Sequence, residues 1–232
     1  MYTSRSSGPE MRRVFVAPLI ALIPACLLIG GAVGFAASLA LTPKALAVFT
    51  SASSVPISTC TLMSNADTYA DGALLSQGSN FGTATQIHVA SSGLGGNKRS
   101  VVRFNVSSCI PSGARIKTAT LSLFLASAPG ASRTHQLTRV TASWGETTLT
   151  WSNQPAVAGA ATGNVSTGTT NNVTLSWTVL ADVQAFADGT ANNGWRVADS
   201  AEGSLGAQEG QYNSREHATV SQRPSLAITY YP

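Results

Sequence analysis

Arg99, Arg103, Arg139 and Arg215 are the residues whose type and setting point most directly to chemistry. A planar guanidinium holds a carboxylate, or two vicinal hydroxyls, through a pair of parallel hydrogen bonds. Arg103 lies in Lys98-Arg99-Ser100-Val101-Val102-Arg103-Phe104-Asn105-Val106, where Val102, Phe104 and Val106 share one parity and Val101, Arg103 and Asn105 the other. Arg139 has the same kind of setting, next to Val140. Such alternation is the pattern of a strand with one buried face. On the opposite face Arg103 and Arg139 would line a groove. The competing reading is an internal ion pair with Glu216, Glu146 or Asp67. Aromatic rings are the second resource, because sugars stack on exposed Trp and Tyr through their C–H surface. Trp144, Trp151, Trp177, Trp195, Tyr69 and Tyr212 are available, and most tryptophans of a small β-domain belong to its core. Trp151 and Tyr212 are the two expected to meet a ligand. Catalysis has little support. There is no G-x-S-x-G, H-E-x-x-H or P-loop string, and His88, His135 and His217 are too scattered for zinc. Glu146 and Glu216 could meet as the facing carboxylates of a glycosidase, yet the expectation is a protein that is not an enzyme and requires no cofactor.

Positioning these groups falls to short strands. Residues 86–90, 99–106, 116–126, 134–142, 173–179, 195–198, 213–218 and 225–231 read as strands, separated by Gly-, Asn- and Ser-rich turns. Residues 180–187 form the one plausible helix, with Leu180, Val183 and Phe186 at helical spacing. Residues 156–172 and 200–211 read as loops. The spacing indicates an all-β antiparallel sandwich, with no internal repeat and no second domain.

The N-terminus is of another kind. Residues 14–42 carry no charge and are long enough to span a bilayer. Arg12 and Arg13 precede them, Lys44 lies just beyond, and Ala45-Leu46-Ala47 offers a cleavage site. A cleaved signal sequence and a retained anchor are both open, and both export the chain beyond residue 47. The expected organisation is a signal or anchor at 1–47, a Ser/Thr-rich linker at 48–64 and one domain at 65–232. Four of the 14 basic residues and one of the 10 acidic ones fall before residue 48, which leaves 10 against 9 and a net charge near +1. That balance argues against a nucleic-acid partner. Any contact with a membrane would run through the N-terminal segment alone. With Cys26 inside the apolar stretch, Cys60 and Cys109 remain as a pair in an oxidising setting, and a disulfide between them is expected.

Five strings in order carry a resemblance. They are Ala66-Asp67-Thr68-Tyr69 with Asn80-Phe81-Gly82; residues 98–106 with Ile110-Pro111-Ser112-Gly113-Ala114; Ala119-Thr120-Leu121-Ser122-Leu123; Val140-Thr141-Ala142-Ser143-Trp144-Gly145-Glu146 with Thr150-Trp151-Ser152-Asn153-Gln154-Pro155; and Asn213-Ser214-Arg215-Glu216 with Arg223-Pro224-Ser225-Leu226. Together they resemble the DNRLRE domain, also described as carbohydrate-binding module family 96 and related to the disaggregatase repeat. The resemblance runs from about residue 66 to 231. It implies a jelly-roll sandwich and a non-catalytic role in binding polysaccharide, acidic polymers such as alginate included. Arg99, Arg103, Arg139 and Arg215, with Trp151 and Tyr212, are then the expected ligand contacts on a concave sheet. Jelly-roll modules often hold a structural calcium through carboxylates and carbonyls; Asp67 and Asp71 are the residues for it, with turn capping as their alternative role. Ala47-Val48-Phe49-Thr50-Ser51 is similar to the export signals processed by a SipW-type peptidase. The second expectation for function is a structural subunit of a cell surface or extracellular matrix, without glycan affinity.

Overall fold

Alternating β-branched and leucine-rich stretches become strands because each can bury one face. The computed structural model describes residues 55–204 and 208–232; the apolar segment at 1–47, its cleavage site and the first part of the expected linker, 48–54, lie outside them. Among the described residues no helix is long and apolar enough to cross a membrane. The elements are β1 (Ser58–Met63), β2 (Ala66–Asp71), β3 (Gln86–Ser91), β4 (Lys98–Arg103), β5 (Arg115–Ser127), β6 (Thr134–Arg139), β7 (Gly163–Ser166), β8 (Val173–Thr178), α1 (Leu180–Ala187), β9 (Trp195–Asp199), β10 (Gln208–Asn213) and β11 (Ser225–Tyr231).

All pairings are antiparallel, and the strands join into one curled sheet in the order β1-β11-β5-β10-β3-β4-β9-β6-β7, with β2 also on β4 and β8 also on β5. Two separate layers, as the sandwich reading expects, are not what the hydrogen bonding gives. The joins are thin, however. β10 meets β5 through two residue pairs and β3 meets β4 through Ala90 and Lys98 alone. The sheet therefore bends there and closes over its own apolar face. Phe104, Leu121, Leu123, Leu125, Trp177, Trp195, Tyr212 and Leu226 are almost wholly buried in that core. Burial of each such side chain stabilises the fold by roughly 1.5–3 kcal/mol. Helix α1 buries Val183 and Phe186 against it, and the Gln184 side chain ties the helix to the start of β5 by accepting from the Ile116 amide (2.8 Å) and donating to the Ala114 carbonyl (3.1 Å).

Several boundaries differ from the sequence reading. β1 lies inside the expected linker, where it pairs with β11 along its full length. β4 stops at Arg103; Phe104 and Val106 stay buried, but residues after Asn105 turn into a short 3₁₀ segment, Val106–Ser108. There the Ser108 hydroxyl donates to the Asn105 carbonyl, a local bond that competes with continuing the strand. β7 lies in an expected loop, and β10 precedes rather than follows Asn213. Cys60 and Cys109 form the expected disulfide, which fastens β1 to the end of that 3₁₀ segment.

A second, smaller apolar cluster sits on the other face of β2 and β4. Ala66, Ala70 and Val101 are covered by Val140, Trp144 and Leu149, with Trp151 and Val157 packed alongside. These covering residues belong to the loop 140–158, pinned at its ends by the Val140–Val157 bridge and by bonds from the Thr141 and Ala158 amides.

Candidate functional site

The outward parity of β4 puts Arg99, Val101 and Arg103 on one face, beneath the loop 140–158. Arg99 lies 4.6 Å from the Trp151 ring centroid and Arg103 lies 5.1 Å from that of Trp144. Two guanidiniums four residues apart thus each meet one tryptophan of the covering loop, in the geometry of a cation–π contact. The two arginines differ in what else they hold. Arg99 donates twice to Glu202 (2.7 and 2.6 Å) and once to Gln154 (3.3 Å). Trp151 is half-buried under it, and Gly72 packs so closely that a Cβ there would meet the indole at 2.9 Å. Arg99 and Trp151 therefore fasten the loop to the sheet.

Arg103 has no carboxylate partner among the described residues. It is half-buried at the wall of a cleft of about 480 Å³. Asn65, Asn105, Ser107, Ser112, Thr190 and Asn192 supply the polar lining, and Phe104 and Phe186 apolar surface. A tight turn packed against the end of β4 adds to the lining. Asn192 donates to the Phe104 carbonyl (2.7 Å) and accepts from the Gly194 amide (3.1 Å). Gly194 has a φ of +76° and lies against the backbone of Val102 and Arg103, so no other residue fits without strain. Trp144 is held in turn by its indole N–H, which donates to the Asn193 carbonyl (2.8 Å). The cleft thus combines one cation, a set of amides and hydroxyls, and an ordered turn.

Arg139 and Arg215 sit elsewhere. Arg139 is 3.5 Å from Asp182, whose other oxygen accepts from Thr162 (2.6 Å) and the Trp195 indole (2.8 Å). Arg215 lies 3.0 Å from Glu146 and 3.4 Å from Glu216. Arg99, Arg139 and Arg215 thus each lie in an internal pair; of Arg103 and Arg139, for which that reading competed, it describes Arg139 alone, and with Asp182 rather than Glu216, Glu146 or Asp67. Tyr212 is fully buried and shares a 2.6 Å hydrogen bond with His135. A polymer on the surface cannot reach it, so the expected stacking role for Tyr212 is corrected to a core role.

Asp67 and Asp71 stand at opposite ends of β2 and do not converge; four strand residues span about 13 Å. Asp71 caps the following turn by accepting from the Ala73 amide (2.9 Å) and lies 4.0 Å from Lys98. Asp67 instead meets Glu146 and Glu216. It is 1% exposed, and burial pushes its carboxyl up to about 7, although hydrogen bonds from Ser64 and the Arg215 amide oppose the rise. Glu146 and Glu216, the pair considered for hydrolysis, both contact Arg215. Sequence reasoning missed Asn65, Asn105, Asn192 and the other cleft liners. The Asn192-Asn193-Gly194 string signals a turn, but not what the turn faces.

The model of the family described as carbohydrate-binding module family 96 matches residues 58–230. No curated protein sequence matches the chain.

Proposed function

Because the chain belongs to carbohydrate-binding module family 96, we propose that it holds a polysaccharide, an acidic one above all, in the cleft beside Arg103, without catalysis and outside the cell. The observation that carries this reading is the pairing of Arg103: of the four arginines in patterned stretches, it alone faces a cleft with no protein carboxylate on it. A half-buried guanidinium in that state is set to bind a sugar carboxylate or vicinal hydroxyls. Asn65, Asn105 and Asn192 add donors and acceptors for further hydroxyls. The disulfide and the family both favour an extracellular setting. The curled sheet, read as a jelly roll, would present this cleft at one end of the strands rather than on a concave face.

Calorimetric titration with an alginate-type polyuronate and with a neutral glucan tests the reading. Arg103→Ala should weaken uronate binding by roughly 10- to 100-fold, the worth of a charge-assisted hydrogen bond. Arg103→Lys should recover part of it, and Arg139→Ala should leave it unchanged. Because Arg103 also packs on Trp144, near-ultraviolet circular dichroism checks that each variant keeps the native fold. Equal affinity in Arg103→Ala and the parent would remove the site. Absence of any glycan affinity together with self-association would favour the structural-subunit reading instead.

A further inference from the structure

We propose that Asp67, Glu146 and Glu216 hold one divalent cation, of the hard, oxygen-seeking class to which calcium belongs. Three elements converge to make the site. Asp67 is the second residue of β2, Glu146 comes from the loop that covers β2 and β4, and Glu216 lies just after β10. One oxygen from each lies within 4.8 Å of the others. That is about the greatest separation of two oxygens bound to one calcium at 2.3–2.6 Å.

Proximity of acids alone would prove nothing; the unsatisfied oxygens are the independent observation. Asp67 Oδ2 accepts from the Ser64 hydroxyl (2.9 Å) and the Arg215 amide (3.0 Å), but Oδ1 is buried with no partner. Glu216 Oε2 is also buried with no partner. Buried polar atoms are nearly always satisfied, and an unpaired buried carboxylate oxygen is costly. Two such atoms from separate elements, in one cluster, call for a positive partner.

Charge gives the same answer. Three carboxylates face one guanidinium, that of Arg215, which touches both oxygens of Glu146 at 3.2 and 3.0 Å and one of Glu216 at 3.4 Å. A divalent cation brings the sum to zero. The donors are all oxygen and all acidic, with no imidazole or thiolate, which favours calcium over zinc or copper. Such an ion would clamp the start of β2 to the covering loop and to the segment after β10. It would therefore support the cleft without touching sugar, and it stands independently of the proposal for Arg103.

The test uses the full chain, stripped with a chelator and titrated with calcium chloride in the absence of sugar. One-to-one binding and a raised melting temperature are expected, at an affinity in the range of about 0.1–1 mM found for extracellular modules. Glu216→Gln should weaken binding by at least about tenfold, each tenfold being 1.4 kcal/mol. Asp67→Asn should abolish it, and Asp71→Asn should leave it intact. Asp67 is deeply buried, so Glu216→Gln and Asp71→Asn keep the comparison readable if Asp67→Asn fails to fold. No heat and no thermal shift up to about 10 mM calcium would overturn the proposal. So would binding that survives Glu216→Gln or is lost in Asp71→Asn.

Discussion

At the scale of single residues, His135 shows how burial fixes a group's chemistry. Its ring is fully buried, Nδ1 shares a hydrogen bond with Tyr212, and Nε2 has no partner. Desolvation pulls its pKa down to about 4; Asp199 opposes that shift and Arg133 adds to it. The neutral form is therefore the native form. Below the ordinary value near 6.5 the unfolded chain takes up a proton that the folded chain refuses, so stability is full above that pH and is lost as pH falls toward 4. The shift corresponds to roughly 3 kcal/mol at its full extent. Asp67, held up to about 7 by burial, acts in the opposite direction over the same window, so in urea melts between pH 7 and pH 4 the loss should show as a difference between the parent and His135→Gln. His135→Gln, destabilised at pH 7, should gain on the parent as pH falls over that window; a gap that stays constant would place the pH dependence elsewhere. Tyr212, at the other end of that bond, was legible in the sequence as an aromatic but not as a core one. Its position depends on β10 reaching back to residue 208, in a stretch whose Gln-Glu-Gly-Gln composition carries no strand signal. The arginines were legible in the same limited sense. Their types and parities were readable, but the choice between ligand and carboxylate was made by Glu202, Asp182 and Glu146, tens of residues away in sequence.

At the scale of elements, local pattern decided most where an element can be read from its own residues. α1 falls on residues 180–187 and β11 on 225–231, as their periodicities require. β7 was illegible because Gly163-Asn164-Val165-Ser166 has weak strand propensity, and it exists through its pairing with β6. β1 was hidden for the same reason: it is a terminal strand whose described ladder partner is β11. The disulfide bears most directly on this element. Cys60 and Cys109 are separated by 49 residues, and in the chain-entropy model closing such a loop stabilises by about 4 kcal/mol. The Cys60→Ser/Cys109→Ser double variant should melt roughly 10 °C lower than the parent. Hydrogen exchange should locate the loss first in β1, because the remaining β11 ladder ties that strand down on one side only. Uniform acceleration across all strands would instead mean that the bond acts on the unfolded chain alone. The Arg103 cleft is lined by Ser107 and Ile110, on either side of Cys109, so the double variant should also weaken ligand binding there, even at temperatures where it is folded.

At the scale of the whole molecule, charge distribution governs how a polymer is met. After residue 47 the chain carries 10 basic and 9 acidic groups, so there is little long-range field to steer an acidic ligand. Most of the acids are already engaged. Asp71, Glu146, Asp182, Asp199, Glu202, Glu209 and Glu216 all lie in ion pairs with Lys98, Arg99, Arg133, Arg139 or Arg215. Among the described residues the cations outside such pairs are Arg103 on β4, Arg115 and Lys117 on β5, Arg196 on β9, and Arg223 just before β11. They are spread over several elements and make no continuous stripe. Recognition of a uronate polymer should therefore rest on one local guanidinium contact and on hydroxyl hydrogen bonds. The salt dependence of affinity distinguishes this from a multi-arginine surface. Each ionic contact to a polyanion costs somewhat less than about tenfold in affinity per tenfold rise in salt. From about 50 to 500 mM salt the affinity should thus fall by less than about tenfold, whereas four aligned arginines would lose on the order of a thousandfold. Hydroxyl contacts with Asn65, Asn105 and Asn192 are neutral and should persist at high salt, so Arg103→Ala should bind weakly but almost independently of salt. A steep slope in the parent that survives in Arg103→Ala would show that the polymer runs over Arg115, Lys117 or Arg196 instead, and would move the binding surface from the end of β4 to the faces of β5 or β9.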